Sequence, residues 1–423
     1  MKKQRYYFST QHLNLILLSF IPSLLIILGF LIDSPKEIFK GLYDLIIAPD
    51  ILLTDYLAVG GIGATFLNAG ILGLLCIFIV YFLEISLTGP LIAAILTVIG
   101  FSFIGKNIGN VWPILVGGLL YCRHKKIEFK TILTPILFAT TLAPAVSEIA
   151  FGLNLSYYLS IPLGIGTGIL IGFIIIPVSL HIAHFHSGYN LYNMGFAGGI
   201  IGTLITSLIQ GFGFSIRTQS TLSTEYSIFM KYLLIFISAF YLIVGYIMNN
   251  RSFKGYSNVL KTSGHSLGDF IQRFGFGLAY INIGIMGFIS ILYVLLTNGV
   301  FNGPIVAGIV TVMAFAPFGK HPRNSVPIFI GVYLAAIIKI FNASSTTVIM
   351  AALFGTALAP IAGSYGFIAG IIAGFLHVSV VANVLKVHNG LNLYNNGFSC
   401  GIVAGIMVPI LEAFSRKGKK ERD

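Results

Sequence analysis

Long apolar runs alternate with short polar punctuation along the entire chain. The first run covers 13–32, and others follow at 57–82, 89–104, 110–121, 132–149, 160–182, 190–212, 228–248, 274–296, 303–318, 325–340, 346–362, 367–385 and 393–411. Most approach the roughly 20 residues with which an α-helix crosses a hydrocarbon core about 30 Å thick. Strict apolar–polar alternation, the mark of a strand, is missing, so helices must satisfy the backbone in lipid. The pattern predicts an all-α integral membrane protein of about 14 hydrophobic segments. The stretch 110–121 is short for a full crossing, so some segments are expected to be broken or re-entrant.

The punctuation repeats. TDYLAVGGIGATFLNAGILG at 54–73 aligns with GDFIQRFGFGLAYINIGIMG at 268–287, keeping Asp55/Asp269 and Asn68/Asn282 at an offset of 214 residues. At the same offset GPLIAAILTVIGFSFIGKNIGNVWPILVG at 89–117 matches GPIVAGIVTVMAFAPFGKHPRNSVPIFIG at 303–331, pairing Lys106 with Lys320 and Pro113 with Pro327. TTLAP ending at Pro144 pairs with GTALAP ending at Pro360, and HSGYNLYNMGF at 186–196 pairs with HNGLNLYNNGF at 388–398. The offsets drift to 216 and 202, as loop-length changes between diverged copies would give, while the order of blocks is kept. Seven segments separate any residue from its partner, and an odd number turns the second copy upside down; with one re-entrant segment per copy the number is even and the copies are parallel. The expected organisation is an N-terminal span with an amphipathic linker at 1–53, repeat A at 54–215, a connecting span and loop at 216–267, repeat B at 268–414 and a basic tail at 415–423. That is two inverted-topology six-segment repeats plus two extra helices.

Composition agrees with the pattern, with 56% hydrophobic and 9% charged residues. A net charge of +12 would suggest nucleic acid in a soluble protein, but the basic residues gather at segment ends. They form four clusters: Lys2, Lys3 and Arg5; Arg123, Lys125, Lys126 and Lys130; Arg251, Lys254 and Lys261; Arg416, Lys417, Lys419, Lys420 and Arg422. A cytoplasmic N-terminus puts all four on the cytoplasmic side, as the positive-inside rule asks, with the C-terminus there too. The charge is therefore read as topology, and no nucleic-acid partner is expected. MKKQR followed by the 13–32 run has too long an apolar core for a signal sequence and no small-residue cleavage site, so it is read as a retained span. Cys76, Cys122 and Cys400 are scattered without metal-ligand spacing and should pack as small apolar residues.

Polar groups inside hydrocarbon must pair or line water, which makes them functional candidates; helix-to-helix hydrogen bonding is the plainer reading. Gly89-Pro90 and Gly303-Pro304 open helices that Gly105-Lys106 and Gly319-Lys320 close. Pro113, Pro327, Pro144 and Pro360 should each break or kink a segment. Breaks at matching places in two halves point to a site near the midplane. Asn68, Asn282, the four prolines, His186, Asn190, Tyr192 and Asn193, with His388, Asn392, Tyr394 and Asn395, are the candidate substrate pathway. Asn190 and Asn193 fall three apart, on one helix face if helical; the plainer alternative has Asn190 capping and Tyr192 anchoring at the interface. Lys106 and Lys320 either bias the pathway toward anions or neutral solutes or snorkel at helix ends. Asp55 and Asp269 are expected to cap helices, with a charge role in the pathway as the alternative. Glu148, just past Pro144, reads as a residue of a solvated loop, with a one-sided proton or cation site as the alternative. The HxxHxH run of His181, His184 and His186 resembles metal-ligand spacing, but in the second copy His181 meets Asn383 and His184 meets Lys386. No metal or cofactor is therefore expected.

Over nearly its whole length, through TDY..GGIGA..NAG, GP....I.T..GF...GK...N..PI..G and NLYN.GF, the chain resembles an uncharacterised family of bacterial multipass membrane proteins. That resemblance implies a bacterial cytoplasmic membrane. The runs from LNAGILG to NVWPILVG and from INIGIMG to SVPIFIG also look like the urea-transporter pattern, although LPxxTxPF of that family is replaced by NVWPI and SVPIF. This second resemblance implies two inverted halves around a midplane site for small solutes. The expected function is a membrane transporter or channel for a small polar solute or ion, with the lipid bilayer as partner and homo-oligomerisation left open. An integral-membrane enzyme using the histidine cluster and a structural or assembly subunit are the alternatives.

Overall fold

The computed structural model describes residues 2–216, 220–265 and 268–414. The basic tail 415–423 lies outside the described residues, as do the side chains of Lys2, Lys3 and Arg5.

Helix α1 (Lys2–Ile32) leads to α2 (Pro35–Ile47). A capping box opens α2: Ser34 Oγ and N donate to Glu37 Oε2 at 2.6 and 2.9 Å, and Glu37 N donates to Ser34 Oγ at 3.4 Å. The Ser34 hydroxyl and N–H hold the Glu37 carboxyl below its ordinary range. Ile38, Leu42 and Leu45 face inward while Phe39 and Tyr43 are exposed, an amphipathic arrangement. Next come α3 (Tyr56–Val59) and α4 (Gly61–Phe82), which split the run 57–82, then α5 (Gly89–Phe101) and α6 (Trp112–Lys125). The run 132–149 becomes α7 (Leu133–Ala139) and α8 (Ala143–Ser147), and α9 (Tyr157–Ile182) and α10 (Asn193–Gly211) follow. The second half comprises α11 (Ser227–Met248), α12 (Tyr256–Leu260), α13 (Phe270–Leu296), α14 (Gly303–Ala314) and α15 (Pro322–Ile338). It ends with α16 (Thr346–Gly355), α17 (Ala359–Tyr365), α18 (Phe367–His388) and α19 (Asn395–Phe414).

Among the described residues, ten helical stretches are long and apolar enough to cross a membrane, and 89–101, 303–318 and 322–338 are shorter apolar helices. No strand forms among them; one isolated bridge joins Thr54 and Thr221. The chain is a multi-pass helical membrane protein, with side chains such as Leu31, Phe82, Tyr158, Leu296 and Phe414 left exposed to lipid.

Helices pair alike in the two halves. α1 packs on α4 and α11 on α13, α6 on α9 and α15 on α18; at the centre α5 meets α14 and α10 meets α19. The two central short helices start alike, with Thr88 Oγ accepting from Leu91 N at 3.3 Å and Asn302 Oδ1 from Ile305 N at 3.2 Å. They end alike too, in non-helical turns where Gly105 and Gly319 take φ of 131° and 137°, a region that disfavours any side chain. Pro113 opens α6, and Pro144 and Pro360 open α8 and α17 after a 3₁₀ turn. Pro327 does not break its helix. α15 runs through it, because the helix start is already set by Pro322 and by the Asn324 side chain, which accepts from His321 N at 2.9 Å.

Candidate functional site

The two halves bind each other through reciprocal polar contacts at two levels. At the first, Asp55 caps α3 by accepting from Leu57 N at 3.0 Å, and its second oxygen accepts from Gly303 N at 3.2 Å and Ser223 N at 2.9 Å. Asp269 mirrors it, accepting from Ile271 N at 2.8 Å and from Gly89 N at 3.1 Å. Each aspartate caps its own helix, as expected, and also ties down the first turn of the other half's broken helix.

At the second level the two NLYN segments cross. Asn190 Nδ2 donates to Gly397 O at 2.9 Å and Asn392 Nδ2 to Gly195 O at 3.0 Å. Each Oδ1 accepts from the backbone two residues on, Tyr192 N at 3.0 Å and Tyr394 N at 3.1 Å, an Asx turn ahead of the helix. Thr141 adds its hydroxyl to Asn392 Oδ1 at 2.8 Å. Gly195 and Gly397 sit at the crossing, where an added Cβ would lie 3.1 and 2.9 Å from the opposing Cα. Asn190 and Asn193 do not share a helix face: α10 begins at Asn193, so Asn190 belongs to the turn. Tyr192 and Tyr394 are buried rather than interfacial, with ring centroids 5.2 Å apart. Asn193 and Asn395 turn back to hold the histidines, at 3.0 Å from His186 Nε2 and 2.8 Å from His388 Nε2.

Asn68 and Asn282 act as props. Asn68 Nδ2 donates to Ser102 O at 3.0 Å and Lys106 O at 2.8 Å, and Asn282 Nδ2 to Ala316 O at 2.9 Å and Lys320 O at 2.7 Å. Ile108 N and the Tyr256 hydroxyl donate to the two amide oxygens. These bonds satisfy the carbonyls freed where α5 and α14 stop, which is how a helix can end inside the core. Lys106 and Lys320 are fully buried, so neither snorkels. Lys320 Nζ donates to the Tyr192 hydroxyl and lies 4.5 Å from the Tyr192 ring centroid and 5.2 Å from that of Phe315. Lys106 Nζ lies 5.3 Å from the Phe101 centroid.

Glu148 corrects a second expectation. It is 1% exposed, in a π turn that extends α8, not in a solvated loop, because the chain past Pro144 stays helical to Gly152 and packs under α9. His181 and His184 are exposed while His186 is buried, and no group of three metal-binding side chains occurs among the described residues.

Several polar residues escaped the sequence argument. Asp50 Oδ2 accepts from the Tyr56 hydroxyl at 2.9 Å, Asn107 Nδ2 at 3.2 Å and Asn110 Nδ2 at 3.1 Å, and the Asn110 amide also reaches Ser147 Oγ at 3.0 Å. Asn107 faces His321 in the alignment, so identity alone hid it. Phe101 and Phe315 are identical at the offset of 214, and the sequence argument did not single them out.

Two cavities flank the crossing. One, about 300 Å³, is lined by Thr134, Ser179, His186, Asn190, Tyr192, Asn193, Phe315 and Tyr394, among others. The other, about 270 Å³, is lined by Met350, Val381, Leu385, Asn395 and Asn396, among others. At the offsets of 216 and 202, Thr134 corresponds to Met350, Ser179 to Val381, Ala183 to Leu385 and Asn193 to Asn395. Asn68, Asn282 and the four prolines line neither cavity.

Fold and site together define a multi-pass helical membrane protein with a duplicated polar crossing in its interior. The chain belongs to the family described as "Protein of unknown function (DUF1576)", whose model matches residues 34–211 and 248–413. No curated protein and no solved structure matches it. None of these comparisons shows the likeness to urea transporters.

Proposed function

We propose that the protein is a transporter or channel for a small polar solute or ion, with its pathway where two inverted-topology repeats meet. The carrying observation is the pair of cavities lined by equivalent positions of the two halves and separated by the NLYN crossing. A buried polar layer between two cavities is what a midplane solute site requires. The inverted arrangement is supported by the chain's path. α1 and α4 run antiparallel, since Gln11 Nε2 donates to Ile85 O at 2.8 Å and His12 stacks edgewise on Tyr81. α5 to α11 add six further apolar segments, so that with α4 seven precede α13. With that odd count the N-terminus and the loops at 123–130 and 251–261 share one side, the cytoplasmic side of a bacterial membrane by the positive-inside rule.

The test uses a chain with Cys76, Cys122 and Cys400 replaced by Ala, carrying Ala183→Cys or Leu385→Cys, one in each cavity. A membrane-impermeant maleimide should label the two variants from opposite faces of oriented vesicles. Labelling from the same face would refute the inverted arrangement. Proteoliposomes that pass none of a panel of small anions, cations and neutral amides would refute transport itself.

A further inference from the structure

The two halves share one frame around the crossing but differ in how its lysine is held. In one, Tyr192 packs on Phe315 with centroids 4.6 Å apart, Lys320 Nζ stands 5.2 Å from the same ring, and lysine and tyrosine bond to each other. In the other, Tyr394 packs on Phe101 at 4.6 Å and Lys106 Nζ stands 5.3 Å from that ring. Here the two do not bond: Lys106 Nζ and Tyr394 Oη are both buried, neither makes a hydrogen bond of normal geometry among the described residues, and Thr97 is the polar side chain beside the tyrosine hydroxyl.

Two orphaned donors beside one ring are costly. A buried hydroxyl and a buried ammonium each lose water without compensation, and the ammonium loses far more. No carboxylate offsets it. The ion pair Lys130–Glu128 lies at the surface, and the ionisable neighbour of Lys106 is the Cys76 thiol of α4. The complementary partner of an ammonium and a phenol, both donors, is an acceptor carrying negative charge. One lysine matches one negative charge, and the packing of Phe101 against Phe354 at 5.5 Å beside it favours a small anion over a large one.

We propose that Lys106 Nζ and Tyr394 Oη form a binding site for a small monovalent anion of halide, nitrate or formate size, the open counterpart of the closed Lys320–Tyr192 pair. The site deepens the transport reading and rests on it for the route by which the anion arrives. In a closed half the tyrosine oxygen satisfies the lysine; in an open half the anion takes that place.

The full chain, purified in detergent in gluconate buffer, is melted against increasing chloride, nitrate, formate and, as a neutral control, urea. A saturable rise in melting temperature with at least one of the anions and none with urea is expected. Lys106→Met should weaken the apparent anion affinity at least about tenfold, the equivalent of one charge-assisted bond, yet melt no lower than wild type without anion, because it removes an uncompensated charge. Tyr394→Phe, which deletes one oxygen, should weaken binding by about threefold to tenfold, and it carries the test if Lys106→Met does not fold. An anion response unchanged in Tyr394→Phe or Lys106→Met, a response to urea alone, or no response to any of the anions overturns the proposal. If liposomes pass no solute while the anion response and its loss persist, transport fails and the site stands. If a neutral solute passes at the wild-type rate through Lys106→Met and no anion shifts melting, transport stands and the site falls.

Discussion

Gly195→Ala probes the crossing directly. An alanine Cβ there would lie 2.6 Å from Tyr394 Cβ, 3.1 Å from Gly397 Cα and 3.2 Å from Tyr394 Cγ. Carbon atoms settle at about 3.5–4.0 Å, so the segments must part by roughly 1 Å. The reciprocal amide bonds, now 2.9 and 3.0 Å, would stretch to about 4 Å, beyond hydrogen-bonding range. If the segments stay put instead, overpacking costs about 1–3 kcal/mol. If they part, two buried bonds are lost, each about 0.6 kcal/mol on the membrane average and up to about 3 kcal/mol when a partner is left unsatisfied. Both routes lead to a loss of at least about 1 kcal/mol, and about 1–3 kcal/mol is expected. Gly166→Ala is the control: an added Cβ there meets nothing within 4 Å, and alanine's helix preference predicts a gain of up to about 1 kcal/mol. Thermal unfolding of the two purified variants, followed by circular dichroism, should move in opposite directions. A Gly195→Ala chain that melts with the wild type would refute the close crossing. So would a Gly166→Ala chain that falls as far.

Three further substitutions separate structural from functional polarity. Asp55→Ala strands the N–H groups of Leu57, Ser223 and Gly303 and should cost about 2–4 kcal/mol in thermal unfolding; Asp55→Asn, which keeps one acceptor oxygen, should cost less. Asn68→Leu is close in volume but leaves the Ser102 and Lys106 carbonyls unpaired, so a loss of about 2–5 kcal/mol and faster proteolysis are expected. His184→Ala, at an exposed position, should leave melting within about 0.5 kcal/mol of wild type and bound metal unchanged; loss of a stoichiometric metal would instead favour a histidine-based enzyme.

The duplicated motif made Asn190 and Asn392 legible as a pair, and Asp55 and Asp269 legible as caps, because each carries a short-range signal. What each pair touches was not legible. The partners are carbonyls and N–H groups of the opposite half, 207 and 197 residues away for the amides and 248 and 180 for the aspartates. Backbone groups are present at every position, so no residue type announces them. Glu148 was misread because proline and a polar neighbour usually signal a loop; here the helix restarts at Pro144 and Asn110 bonds Ser147 beneath it. Phe101 and Phe315 were passed over because an aromatic residue in an apolar run looks the same whether it faces lipid or frames a lysine.

Lys106 and Lys320 mark the boundary of what duplication can reveal. Aligned copies predict a shared frame, and the frame is shared, down to equal tyrosine–phenylalanine spacings of 4.6 Å. They cannot predict which half is closed, because Gly-Lys and Asn-Leu-Tyr-Asn are common to both halves while residues around them differ, as Asn107 does from His321. A molecule whose halves were locked into the same contacts would need no such freedom. An interior that bonds one lysine and leaves its equivalent open has two arrangements of similar parts, which is the requirement for a ligand to shift one into the other. The asymmetry is a difference in contacts between two lysines that one motif places alike.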